Sequence, residues 1–211
     1  MLTPKPSLKD LTVMNHNYRS AVVGHRLEIC WIGMVSIFVV GIASVIHLFT
    51  RKNLWDAIAY SAAELGVIFA TLILITGAIW AKPVWGVWWS WDPKLTTTLI
   101  LWFVYIGYLM VRSFSPPGSQ GRRYASVVAL LGAIDAPIIY LASIWWRTAH
   151  PNLNIGPLAE SGSDLDGKMY ITFFVSLITF TIFYVYVMLE RIQMRKCEDD
   201  LDEVHQYVSL N

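Results

Sequence analysis

The stretch Trp85-Gly86-Val87-Trp88-Trp89-Ser90-Trp91-Asp92-Pro93-Lys94-Leu95-Thr96 sets four tryptophans within seven positions. It lies between two apolar runs, each long enough to cross a bilayer. An indole is a large flat apolar face with a single N–H donor, so a cluster at a membrane boundary is either an interfacial anchor or a surface for a flat, greasy ligand. Anchoring accounts for single tryptophans at helix ends, such as Trp55 and Trp80, but does not require four in one connection.

The elements that must hold this segment are membrane helices. Of the chain's 211 residues 55% are apolar and 15% charged, with a mean hydropathy of +0.49, whereas a soluble domain carries about a quarter charged residues. Five segments approach the roughly 20 apolar residues that a spanning helix needs, near 27–50, 55–80, 96–111, 124–146 and 169–189, the third being short by a turn. The expected fold is all-α: a polytopic bundle of about five transmembrane helices, with the Trp-rich loop over 81–95. A polar N-terminal tail at 1–24 precedes the membrane domain at 25–190, and an inner tail follows at 191–211.

Basic residues in short connections orient such a bundle. Arg51-Lys52, the Arg112–Arg123 connection and the exit at Arg191, Arg195 and Lys196 belong inside, which turns the Trp-rich loop and the segment Arg147–Lys168 outward. Lys5, Lys9, Arg19 and Arg26 in the outward tail run against the rule. Met1–Gly24 lacks the apolar centre and cleavage pattern of a signal peptide.

Cys30 and Cys197 fall on elements that hold them apart, so no disulfide framework is expected. There is no Cys-x-x-Cys-His, no Gly-x-x-x-x-Gly-Lys-Ser/Thr and no acid–base or nucleophile constellation, so catalytic residues are not assigned and any ATP consumption belongs to a partner.

The Trp-rich segment resembles the WWD signature of the haem-handling proteins of cytochrome c maturation. Thr76–Gly86 is similar to the family's entry into that loop, and Asp135-Ala136-Pro137-Ile138-Ile139-Tyr140 with Trp145-Trp146-Arg147-Thr148-Ala149-His150 is similar to its second landmark. The resemblance is to the haem exporter C (CcmC-type) branch and runs from about Leu27 to about Leu189. The family usually has six helices, and here the polar stretch Met1–Gly24 stands where its first would be.

The resemblance implies non-covalent haem b held by two histidines. His150 falls where the family keeps one axial ligand, and His25 lies close to the expected separation from Lys82-Pro83 for the other, with His16 as its competitor. His25 is followed by Arg26-Leu27-Glu28 and not by the family's Val-Pro pair. Trp85, Trp88, Trp89, Trp91 and Asp92 would cover the ring, and Arg147, Lys82, Lys94 and Arg26 are the cations available to the haem propionates, Arg147 first because its planar fork pairs with a carboxylate at two points. Asp92-Pro93 also reads, structurally, as an N-cap followed by proline at the first helical position. His47 is expected as a buried hydrogen-bonding group, and His205 lies in the inner tail.

Glu64 and Asp135 fall inside predicted spans, where carboxylates are rare enough to count as functional candidates. Protonation, or backbone groups loosened at Pro137, would satisfy them structurally. No cation is expected at their depth.

The implied function is haem presentation at the outer face of the cell inner membrane to a periplasmic haem chaperone, alongside an ABC-type ATPase and a second membrane subunit. The acidic run Glu198-Asp199-Asp200 is then a solvated tail or a contact for that ATPase. The lipid bilayer, and no nucleic acid, is the expected surrounding. A haem lyase acting on Cys-x-x-Cys-His apoproteins is the enzymatic alternative, and a haem-free packing subunit of a transporter the third.

Overall fold

The protein, described by a computed structural model over residues 8–115, 119–145 and 167–209, is built from five helices in the order α1 (Leu8–Thr50), α2 (Asn53–Trp85), α3 (Pro93–Phe114), α4 (Ser119–Trp145) and α5 (Gly167–Ser209). In hydrocarbon each backbone N–H and C=O must find its partner within the protein, and a helix supplies that partner four residues away. Among the described residues α1, α2, α3 and α5 are long and apolar enough to cross a membrane. α4 runs as one helix with Asp135 and Pro137 inside it and packs into the same bundle.

The first four helices close a ring, α1 on α2, α2 on α3, α3 on α4 and α4 back on α1, while α5 lies outside against α2 and α1. Small side chains permit the close approaches: Ser36, Ala43 and Ser44 of α1 and Ala57, Ala59, Ser61, Ala62 and Ala63 of α2 are all buried. At Gly41 a Cβ would stand 2.9 Å from the Ala133 Cβ, so α1 and α4 meet there almost backbone to backbone. Outward faces carry Phe38, Ile42, Ile68, Ile75, Phe103, Leu131 and Ile178, an apolar belt that suits lipid and not water.

The helices are longer than the apolar patterns suggest. α1 begins at Leu8, within the stretch read as a polar tail; α2 carries on through Lys82 and Pro83; α5 does not stop at Leu189 but runs to Ser209 as one helix. The α1–α2 turn is held by His47, which is buried with Nδ1 3.2 Å from the Lys52 carbonyl oxygen, beside Arg51 at φ 55°.

One expectation fails. Glu64 is paired: Arg191 of α5 donates to both its carboxylate oxygens, at 2.5 and 2.8 Å. The 33 residues of α2 span about 50 Å, more than the roughly 30 Å of hydrocarbon, so Glu64 need not lie at mid-membrane, and uninterrupted α5 brings Arg191 to it. A second, deeper pair joins Arg112 of α3 to Asp56 of α2 at 2.9 Å, with side chains only 8% and 2% exposed. Asp199 and Arg195 complete a chain of charges from α3 to α5, and Arg195 lies 4.4 Å above the Tyr60 ring. Asp135 differs: its Oδ2 is buried with no hydrogen-bond partner among the described residues, so the backbone near Pro137 does not satisfy that oxygen.

Candidate functional site

The Trp-rich segment shrinks to a tight seven-residue strap, Gly86–Asp92, because the helices on either side take up the rest of the expected loop. α2 ends at Gly86, whose left-handed φ of 78° lets its N–H turn back to the Lys82 carbonyl at 3.0 Å. Glycine adopts that conformation without the steric cost a Cβ would add. At the other end Asp92 occupies the N-cap and Pro93 the first helical position of α3, as the sequence suggests, although the Asp92 side chain makes no capping hydrogen bond. Its backbone carbonyl instead accepts from both the N–H and the hydroxyl of Thr96, at 2.9 and 3.0 Å.

At the end of α2 and in the strap the indoles brace one another edge to face. Trp80 meets Trp85 at 5.4 Å between centroids, and Trp89 meets Trp91 at 6.0 Å. Lys82 donates its ammonium to the Gly86 carbonyl at 3.0 Å and lies 5.9 Å from the Trp88 ring centre. Trp88 and Trp91 remain 59% and 75% exposed, so two large apolar faces stand free of the bundle beside a cation. The Trp89 indole N–H and the Ser90 hydroxyl are buried with no hydrogen-bond partner among the described residues, two polar atoms next to those faces that protein does not satisfy.

Below the strap, the Trp102 indole N–H of α3 donates to the Thr71 hydroxyl of α2 at 2.8 Å, tying the two helices that carry it. This brace and the two ion pairs were not read from the sequence. Asp56 and Arg112 each stand in an end turn of an apolar helix at the same side of the bundle, and that coincidence was the available signal.

The predicted ligand histidines divide. Gly33 packs against Ile73 and Gly66 against Ser36, which sets the antiparallel register of α1 and α2. Counting back along α1 from those crossings brings the His25 backbone level with the stretch Gly77–Ala81, the strap end of α2. His16 is two and a half turns farther along the same helix. His150 and Arg147 lie outside the described residues. The strap brings together Lys82, Trp85, Trp88, Trp89, Trp91 and Asp92.

These features fit a flat apolar ring bearing acidic groups: exposed indole faces, an adjacent ammonium, and unsatisfied donors in a strap fixed at both ends by helices. The positive end of the α3 dipole points the same way.

The family profile CcmC, heme exporter protein C, matches residues 24–205. Heme exporter protein C of Bradyrhizobium diazoefficiens is 37% identical over 155 residues, 74% of this chain and 58% of its own length. A ccmC-like mitochondrial protein of cytochrome c biosynthesis from Marchantia polymorpha is 33% identical over 164 residues, 78% of this chain and 67% of its own. Heme exporter protein C of Haemophilus influenzae is 31% identical over 159 residues, 75% and 64% of the two chains. The chain thus spans about three-fifths to two-thirds of the length of these relatives. With an all-helical membrane fold, the Trp-rich strap and a profile match over most of its length, the chain belongs to the heme exporter protein C (CcmC) family.

Proposed function

We propose that this protein binds haem b at the Trp-rich strap, on the outer face of the cell inner membrane, and presents it to a periplasmic haem chaperone during cytochrome c biogenesis. The observation that carries the reading is the pair of indoles, Trp88 and Trp91, that stay exposed although Trp91 is braced edge to face by Trp89. The concentration of Arg51, Lys52, Arg112, Arg122 and Arg123 at the opposite end supports an outward strap.

Haem is cargo here, and the protein's contribution is positioning. His25 and His150 hold the iron, Trp88 and Trp91 lie against the ring, and Lys82 with Arg147 pair the propionates that are costly to leave unmatched near hydrocarbon. An edge of the ring stays accessible to the acceptor. The exporter name of the bacterial relatives supports a handling role over attachment of haem to apoproteins. An ABC-type ATPase and a second membrane subunit are the partners this reading calls for.

The test is the visible spectrum, oxidised and reduced, of the chain purified in detergent from haem-replete cells, beside His25→Ala and His150→Ala. A low-spin six-coordinate spectrum lost or altered in both variants supports the site. A colourless parent protein would overturn it, and unchanged haem in His25→Ala would shift the second ligand to His16 or to an open position.

A further inference from the structure

Where α3 meets α4, two polar atoms stand with nothing to bond. The Asp135 Oδ2 of α4 and the Tyr105 hydroxyl of α3 are both buried without a hydrogen-bond partner among the described residues, and Tyr105 as a whole is only 3% exposed. They belong to one place. The Tyr105 ring lies against α4 at Gly132, where an added Cβ would come to 2.9 Å from the ring Cζ and 3.2 Å from the hydroxyl oxygen. Asp135 follows Gly132 by three residues, so it projects from the same side of α4, and its carboxyl is near enough for a charge there to act on the tyrosine.

Among the described residues no cation offsets such a charge. α1 and α3 are the helices packed on α4. About its Gly41 crossing with α4, α1 carries Val39, Val40 and Ala43, none of which titrates, and His47 farther along is bonded to the Lys52 carbonyl. On α3 the cation nearest to Tyr105 is Arg112, two turns away and held by Asp56 and Asp199. On α4 itself Arg123 is more than three turns from Asp135. A carboxyl buried without a counter-charge neutralises by keeping its proton.

A protonated carboxyl has one O–H donor and spare acceptor lone pairs, and so has a phenol. The two make no direct bond, so what joins them is water, which needs two to four polar partners. Asp135 Oδ2 and the Tyr105 hydroxyl are two. The Ala133 carbonyl, to which Pro137 offers no N–H, is a third in the same turn of α4.

We propose that Asp135 is a proton-binding site in the interior of the bundle: its carboxyl is protonated at neutral pH and shares a water molecule with the Tyr105 hydroxyl between α4 and α3. The proton is held on the carboxyl, and Tyr105 is a positioning residue that orients the water.

The readout is infrared and does not involve haem. In spectra of the full chain in detergent at neutral pH, the C=O stretch of a protonated carboxyl stands clear of the amide and carboxylate bands. The expected result is one such band that Asp135→Asn removes, that moves to higher frequency in Tyr105→Phe as the hydrogen bond to the carboxyl weakens, and that moves to lower frequency in heavy water as the proton exchanges. An unchanged gel-filtration profile confirms the fold of each variant. Should Asp135→Asn fail to fold, labelling the carboxyl carbon of aspartate with heavy carbon in the parent chain assigns the band without a substitution. Absence of the band from the parent, or a band untouched by both Asp135→Asn and the label, means an ionised Asp135 and overturns the proposal. A band indifferent to Tyr105→Phe, or one that does not shift in heavy water, overturns the shared water.

Discussion

Arg191 of α5 grips Glu64 of α2 at two points, its Nε and one terminal nitrogen on the two carboxylate oxygens at 2.5 and 2.8 Å. α5 lies outside the ring of the other four helices, and this fork, the hydroxyl contact between Ser36 and Tyr184 at 3.1 Å and the Arg195 guanidinium over the Tyr60 ring are among its polar attachments to α1 and α2. A bidentate arginine–carboxylate pair adds geometric register as well as energy.

Arg191→Ala should therefore loosen α5 and destabilise the protein by about 1–3 kcal/mol, the range for leaving a partly buried charge without its partner. Arg112→Ala, whose pair with Asp56 is almost wholly enclosed, should cost about 3–5 kcal/mol. Melting followed by fluorescence-detected gel filtration compares them. Equal or reversed losses would refute the ranking, and the variant Arg112→Lys should rescue only part because a point charge replaces the planar fork.

Trp88→Ala and Trp91→Ala remove exposed rings and should change stability by no more than about 0.5 kcal/mol while lowering haem retained per protein several-fold. Trp102→Phe should do the opposite. It loses the 2.8 Å bond to Thr71, at a cost of about 1 kcal/mol, and should leave haem content near the parent's. Haem loss tracking stability across all three would show that the strap tryptophans act only as packing.

Gly86→Ala forces a side chain into φ 78°, where nothing nearby collides but the backbone itself is strained. A stability loss of about 1 kcal/mol is expected, together with weaker haem retention from a displaced strap. Gly86→Asn, which tolerates the left-handed region better, should recover part of both. Equal behaviour of the two variants would remove the conformational explanation.

Gly41→Ala drives a methyl to 2.9 Å from the Ala133 Cβ, a contact that neither backbone can easily relieve. The expected loss is about 1–3 kcal/mol, with Ala133→Gly in the same chain restoring much of it. A neutral Gly41→Ala would mean that α1 and α4 separate more readily than their packing implies.

Much of this was legible in the chain itself. Apolar runs of bilayer length require helices because hydrocarbon offers the backbone no other partner, and Asp92-Pro93 marks the start of α3 through proline's fixed φ and its missing N–H. The four clustered tryptophans pointed to the strap by their chemistry, and the burial of His47 followed from its place near a helix end. Helix ends were harder. Lys82, Pro83 and the polar residues from Leu8 and beyond Leu189 all continue in helix, since hydrogen bonding along a helix carries on past the point where hydrophobic patterning stops.

Pairing was not readable at all. Glu64 and Arg191 are 127 residues apart and Asp56 and Arg112 are 56 apart, and nothing in either local sequence names the other. A charge in a span is a cost in one dimension and becomes an attachment only when a second helix arrives at the same height and angle. Composition and periodicity thus determined that the chain is a helical membrane protein with a tryptophan-rich strap. Which charges meet, which indoles stay bare and which face of α5 is left uncovered were decided by the packing, because those depend on helix rotation and depth, and helix rotation and depth are set by the whole bundle at once.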